Sequence, residues 1–302
     1  ILNYIHAKSF CDIRLVKDAN WQYHLKPILI IFASSVAVTL YVSSDTTILG
    51  LLKNDYAVGI YGVSVKIYQM AEGVLSALLT VAIPRLAMLL GQRRLKEYNN
   101  VLSGVIGTLS ILVLPASVGL IMLSEDVVLI IAGHKYLPSV NSLRIITWAI
   151  IFSIFAWIFS DCVLIPAKRE GKLLRNTIIT GITNVVLNFI LIPFMSYDGT
   201  SLSTVIAEFM VMVMNGWACW DIIKPVILSK NNFKNIISST IGCIGIVVVC
   251  LLCAWSWNSL ILRMVFSVIL SVVVYAVILI LLRNEIAMNM LKRVRMIVRS
   301  KL

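Results

Sequence analysis

Charge is scarce in this chain: 13% of its 302 residues are Asp, Glu, Lys or Arg, against 60% hydrophobic. A soluble globule of this size needs more polar surface to coat itself, which excludes an aqueous fold and leaves lipid as the solvent. Histidine is reduced to His6, His24 and His134, isolated and without metal-ligand spacing, so no metal site is expected. Cysteine forms no disulfide framework: Cys162, Cys219, Cys243, Cys250 and Cys253 fall in apolar runs and Cys11 in a polar segment. The Cys250/Cys253 pair sits among Leu, Val and Ala and reads as two small hydrophobes. The stretch 124–141, the longest loop on its side between apolar runs, carries no Ser/His/Asp set, no carboxylate pair with a nearby acid and no Gly-rich phosphate loop; catalytic residues and cofactors are therefore not expected. The net charge of +12 is spread over the ends of the runs and not gathered with aromatics on one face, which argues against nucleic acid.

What is present is a series of eight apolar runs, near 26–44, 58–83, 101–123, 142–166, 173–194, 199–220, 236–255 and 260–282. Each is near the roughly 20 residues needed to cross about 30 Å of hydrocarbon. Barrel strands are about half as long and alternate, so the expected fold is all-α, a polytopic membrane helix bundle of about eight transmembrane helices. Of the 26 Lys and Arg, 21 fall in every second gap or at the ends, while the intervening gaps hold only Lys53 and Lys135. By the positive-inside rule the rich side is cytoplasmic, and with eight crossings both ends lie there.

Residues 1–25, with Lys8, Asp12, Arg14, Lys17 and Asp18, read as a cytoplasmic connector following an earlier helix, as in the back half of a longer protein. Residues 283–302 form a basic tail. Its Ile286, Met290, Val294, Ile297 and Val298 recur at helical spacing opposite Lys292, Arg293, Arg295 and Arg299, which fits a helix on an anionic leaflet or a solvated tail equally well. Pro84, Pro166 and Pro193 near span ends are expected to terminate helices, and Pro115, inside a span, to kink one.

Several runs carry a polar seam. Gly59, Gly62, Lys66, Gln69, Gly73, Ser76 and Thr80 recur at alternating steps of three and four, which places them within about 100° of arc. Thr177, Gly181, Asn184 and Asn188 repeat the pattern, as do Ser201, Thr204, Glu208, Met212, Asn215 and Cys219. A tight helix-helix seam explains the glycines. An ammonium group near mid-bilayer costs at least about 2.5 kcal/mol, so Lys66 points either to a wet cavity or to a structural pair with a carboxylate such as Glu72 or Glu208. Asp161, near Lys168, and Arg144, at the opposite end of its span, face either the interior or water by snorkelling.

Segments of this chain resemble the C-terminal half of the bacterial polysaccharide flippases of the multidrug/oligosaccharidyl-lipid/polysaccharide exporter superfamily. The resemblance covers residues 25 to 220. It rests on SSDTTILGLLKNDYAVGIYGVSVKI around Asp45, on Ile83-Pro84-Arg85, on IAGHKYLPSVNSLRIITW from Ile131, and on LIPAKREGKLLRNTIITGITNVVLNFILIP from Leu164 through Asp198-Gly199 to Thr204 and Glu208. It implies a six-helix C-lobe over 26–220, two additional helices over 221–282, and an N-terminal half outside this chain. It also implies alternating access around an often cationic cavity in the bacterial inner membrane, and O-antigen or capsule repeat units on undecaprenyl pyrophosphate as substrate. Polysaccharide polymerase and chain-length proteins are implied partners, besides membrane lipids and a coupling H+ or Na+. The turn Met195-Ser196-Tyr197-Asp198-Gly199-Thr200 departs from the family's Gly-rich turn, which puts close packing there in doubt.

The expected assignment gives Lys66 and Arg144 the pyrophosphate, Gln69, Asn184 and Asn188 the sugars, Glu72, Glu208 and Asp161 the coupling ion, and Asp45 a gate at the outer end. A drug or cation exporter of the same superfamily would show unpaired carboxylates and little positive charge. A membrane glycan polymerase or transferase would show a large outer loop with acidic and basic residues. A structural scaffold would leave Lys66 and the seams without a purpose.

Overall fold

The computed structural model describes residues 21–257 and 259–289, and among them every regular element is helical. In chain order these are α1 (Trp21–Leu52), α2 (Asp55–Gly91), α3 (Leu95–Met122), the short α4 (Ser124–Ile131), α5 (Ser139–Trp157), α6 (Glu170–Met195), α7 (Tyr197–Ala218), the short α8 (Trp220–Ile227), α9 (Lys230–Ser256) and α10 (Leu260–Leu281). Seven helices are long and apolar enough to cross a membrane, matching the second to eighth predicted runs, and the chain is a multi-pass membrane protein. The first predicted span, 26–44, lies inside α1, which already begins at Trp21 and so takes the last residues of the expected connector. The rest of that connector, Cys11 and His6, and the basic tail from Met290 onward lie outside the described residues.

Boundaries follow local chemistry. Asn54 caps α2 by accepting the Ala57 N–H at 2.9 Å, and Ser229 caps α9 by accepting that of Asn232 at 3.3 Å. The expected long loop over 124–141 instead folds into α4 and a single 3-10 turn, His134–Tyr136. Two prolines behave differently from expectation. Pro84 lies inside α2, which runs on to Gly91, and Pro193 lies inside α6. Among packed membrane helices the backbone groups freed by proline find other partners, so the ring need not end the helix.

The centre of the bundle is α5, whose Leu143, Ile146, Ala149, Ile150 and Ile154 are all buried. It packs against α2, α3 and α7; α6 packs on α1 and α7. Small polar side chains join these helices at short range, as expected where lipid gives no hydrophobic drive to associate. Ser64 of α2 donates to the Ser139 carbonyl at 2.9 Å, Ser142 of α5 and Ser201 of α7 share a 2.6 Å hydrogen bond, and Asn176 of α6 donates to Asn215 of α7 at 3.0 Å. The closing pair α9 and α10 packs on itself and onto α3. Gly242 and Gly245 make this possible: a Cβ on either would come within 2.5 Å of Tyr275 or Ile278.

After Trp157 the backbone of α5 widens into a π-helical turn, Ile158–Leu164, ending just before Pro166. The Ile165 N–H reaches the Ser160 carbonyl at 2.9 Å, and the Tyr98 hydroxyl of α3 takes the Cys162 carbonyl at 2.9 Å. Such turns recur at functional sites because they re-aim side chains.

Candidate functional site

Near the less basic side of the membrane, α1, α2, α6 and α7 converge on one buried carboxylate. Asp45, 3% exposed, accepts from the Asn188 amide at 2.6 Å on one oxygen. On the other it accepts from the Thr204 hydroxyl at 2.9 Å and the Tyr61 hydroxyl at 3.2 Å. Asn188 is itself held between Asn184, whose oxygen it meets at 3.1 Å, and Ser203, which donates to it at 2.7 Å. The four-residue steps from Asn184 to Asn188 and from Thr200 to Thr204 place these groups on single helix faces, and the crossing of α6 and α7 brings the faces together.

From this cluster a cavity of about 520 Å³ runs toward the basic side. On α7 it is lined from Thr204 to Asn215 and on α2 from Tyr61 to Glu72, a depth of about 16 Å at 1.5 Å per residue. Half-way along, the Tyr68 hydroxyl donates to Glu72 at 2.7 Å, and Glu208 enters from α7. At the far end the π-helical turn presents Ser160 and Asp161, joined by a 3.0 Å hydrogen bond. Asp45, Glu72, Asp161 and Glu208 thus line one space, and among the described residues no Lys, Arg or His does. A cluster of three or more His, Cys, Asp or Glu able to hold a metal is absent among the described residues.

The structure divides the predicted site residues into groups. Gln69, Glu72, Glu208, Asp161 and Asp45 line the cavity together. Asn184 and Asn188 are fully buried in the Asp45 cluster beside it. Arg144 lies apart, its Nε donating to Ser124 at the start of α4 at 2.8 Å. Lys66 is exposed, on a face of α2 whose Gly59, Gly62 and Gly73 have open space where a Cβ would sit. The α2 seam is therefore no helix-helix contact among the described residues: the buried face of α2 is the opposite one, with Ala57, Ile60, Tyr61, Ser64, Ile67 and Tyr68. The cavity inside this lobe is acidic among the described residues, and it is a different space from the central cavity that the resemblance implies.

Tyr61 and Tyr68 were missed as site residues, as was Ser160. Two tyrosines seven residues apart on one face of a lipid-embedded helix carried a signal, since each hydroxyl needs a partner. Ser160 had none, because a π-helical turn is invisible to a 3.6-residue period.

Comparison with known proteins places this geometry. Residues 10–141 match the family described as polysaccharide biosynthesis protein. No curated protein matches the chain. Among solved structures, the lipid II flippase MurJ in an inward closed conformation superposes with a TM-score of 0.72 at 17% identity, over 94% of this chain and 59% of that one. An outward-facing multidrug resistance MATE family transporter of the MOP superfamily gives 0.56 at 13%, over 87% and 65%. A MOP superfamily transporter from Pyrococcus furiosus Vc1 (DSM3638), described by a reverse polarity of its binding pocket, gives 0.54 at 14%, over 86% and 65%. The chain thus spans about three-fifths of the length of these proteins. In fold it is similar to the lipid II flippase and the MOP-superfamily transporters, and its stretch 10–141 resembles the polysaccharide biosynthesis protein family.

Proposed function

We propose that this chain is the larger part of a flippase that moves a lipid-linked oligosaccharide, of the O-antigen or capsule type, across the bacterial inner membrane, coupled to an ion held in its acidic cavity. The observation that carries the reading is the polar cavity itself. Four carboxylates inside a lipid-embedded lobe are costly, and such groups mark substrate or ion pathways. The match of residues 10–141 to a polysaccharide biosynthesis protein family supports a glycan cargo, and the likeness in fold to the lipid II flippase supports alternating access.

The two tasks separate by charge. An acidic pocket repels a pyrophosphate and attracts H+ or Na+, so Asp45, Glu72, Glu208 and Asp161 serve the ion. The anionic headgroup falls to the exposed stripe of α2, where Lys66 faces away from the lobe, while Gln69 lines the cavity. Arg144, tied to Ser124, has no part in this reading. Asn184 and Asn188 position Asp45 and are freed from direct sugar contact.

The test is surface polysaccharide output from the intact protein, at matched expression. Lys66→Ala and Glu208→Gln are each expected to reduce output at least tenfold. Normal output from both variants overturns the reading. Dependence of residual transport on external Na+ or on pH then identifies the ion. A multidrug or cation exporter would instead keep its transport in Lys66→Ala and carry organic cations in vesicles.

A further inference from the structure

A second concavity opens on another side of the bundle, between α3, the π-helical turn, α7, α8 and α9, with a volume of about 640 Å³. Its walls are apolar, including Ile106, Phe159, Met212, Ile223, Ile227 and Ile236. Its size is within the roughly 300–1,000 Å³ of small-molecule sites. Ile106 lies 11 residues into α3, so the groove reaches about 16 Å from the basic end of that helix toward the membrane centre. Gly216 keeps it open: a Cβ there would stand 3.2 Å from the Phe159 ring.

The mouth differs from the walls. Trp217 and Trp220 line it and remain 81% and 42% exposed, amphipathic rings of the kind that settle at headgroup level. Beside them α8 buries Ile223 and Val226 while Trp220, Asp221 and Lys224 face outward, the pattern of a helix lying in the interface. Arg169 and Lys172 both reach the Ala218 carbonyl, at 3.2 and 3.4 Å, one residue beyond Trp217. Asp221, the one acidic group in this set, is neutralised by a bidentate pair with Arg169 at 2.6 Å. Three cations against one carboxylate leave an anion-attracting rim above an apolar slot.

We infer that this groove holds a resident anionic phospholipid of the basic-side leaflet, one acyl chain in the slot below Trp217 and its headgroup on Lys172 and Lys224. The charge of the rim chooses the headgroup, and the depth of the slot takes the chain. This site is separate from the acidic cavity, on different faces of α5 and α7, and stands whether or not the transport reading holds.

The test uses the intact protein in proteoliposomes containing either phosphatidylglycerol or phosphatidylcholine brominated on the acyl chain, at equal mole fraction, reading tryptophan fluorescence. Brominated phosphatidylglycerol is expected to quench more strongly. That excess is expected to vanish in Trp217→Phe/Trp220→Phe, and also in Lys172→Gln/Lys224→Gln, which keeps both reporters. Ile236→Phe, which narrows the slot with the rim intact, is expected to reduce it; circular dichroism melts confirm that each variant is folded. Equal quenching by the two lipids, or an excess that survives the lysine changes, overturns the inference. Absence of quenching by either lipid would mean that protein, a second copy or the remainder of the polypeptide, covers the groove, and overturns it too.

Discussion

At Asp45 a carboxylate shielded from solvent accepts hydrogen bonds from α2, α6 and α7 at once, and those three donors have no solvent to fall back on. Removing it takes one partner from each; the Asn188 amide keeps the Asn184 oxygen at 3.1 Å and the Thr204 hydroxyl keeps the Thr200 carbonyl at 3.0 Å, so the loss is less than the full set of about 1–3 kcal/mol per unsatisfied group. Asp45→Ala is therefore expected to destabilise the lobe by about 3 kcal/mol, seen as a lower melting temperature in detergent. Asp45→Asn, which keeps the volume, should lose less stability while losing ion coupling. The sequence showed Asp45 only as an acid near the end of a run. Its partners are 16, 143 and 159 residues away, a separation that no periodicity reports.

At the scale of single elements, the turn between α6 and α7 is tightly packed. Ser196 adopts φ 53, a left-handed conformation that costs a side-chain-bearing residue about 1–2 kcal/mol. Three residues later, in α7, a Cβ on Gly199 would stand 2.7 Å from the Leu191 carbonyl oxygen. Close packing at this turn, which the departure from a Gly-rich pattern had put in doubt, is present and depends on Gly199. Ser196→Gly is expected to raise the thermal midpoint, and Gly199→Ala to lower it by the equivalent of about 1–3 kcal/mol, the usual cost of overpacking. The end of α7 shows the opposite device, a clamp of charge. Arg169 bridges the Ala218 carbonyl and Asp221, and holds the Asp221 carboxyl below its ordinary value of 3.8. A carboxyl depressed in the folded state stabilises above its unfolded pKa and loses that contribution as pH falls through the folded one. Melting midpoints should thus fall slightly on acidification below about pH 4, and part of that fall should disappear in Asp221→Asn; the pair is exposed, so the effect stays under about 1 kcal/mol.

Across the whole molecule, two faces are set apart by what they bury. The Asp45 cluster and its cavity are enclosed by α1, α2, α6, α7 and α5 with its π-helical turn, whereas Lys66 of α2 looks away from the lobe's core. A substituted cysteine at 66 in the intact protein should react readily with membrane-impermeant thiol reagents, and one at 188 should not. The described native cysteines, Cys162, Cys219, Cys243, Cys250 and Cys253, are buried and should contribute little background. Rapid labelling at 188 would mean that the polar cluster is open to water and that its hydrogen bonds are not those described. Elsewhere on the less basic side, Arg263 of α10 pairs with Asp126 of α4, its Nε at 3.0 Å from the carboxylate, and ties the last helix pair to the bundle. That contact links residues 137 apart, between two groups that the sequence offered only as scattered charges.

The sequence alone determined that this is a helical membrane bundle, where seven of its spans run and how its basic side is arranged, because apolar run length and charge alternation are local properties set by the thickness and polarity of a bilayer. It also picked out Asp45, Glu72, Asp161 and Glu208, since a charge in such a run is conspicuous wherever it points. Only the tertiary structure decided which way each one faces. The crossing of α6 and α7 and the widened turn after Trp157 gathered the four acids into one cavity, and the packing of α2 by its tyrosine face turned Lys66 outward. Those outcomes depend on contacts between residues far apart in the chain, and no helical period carries them.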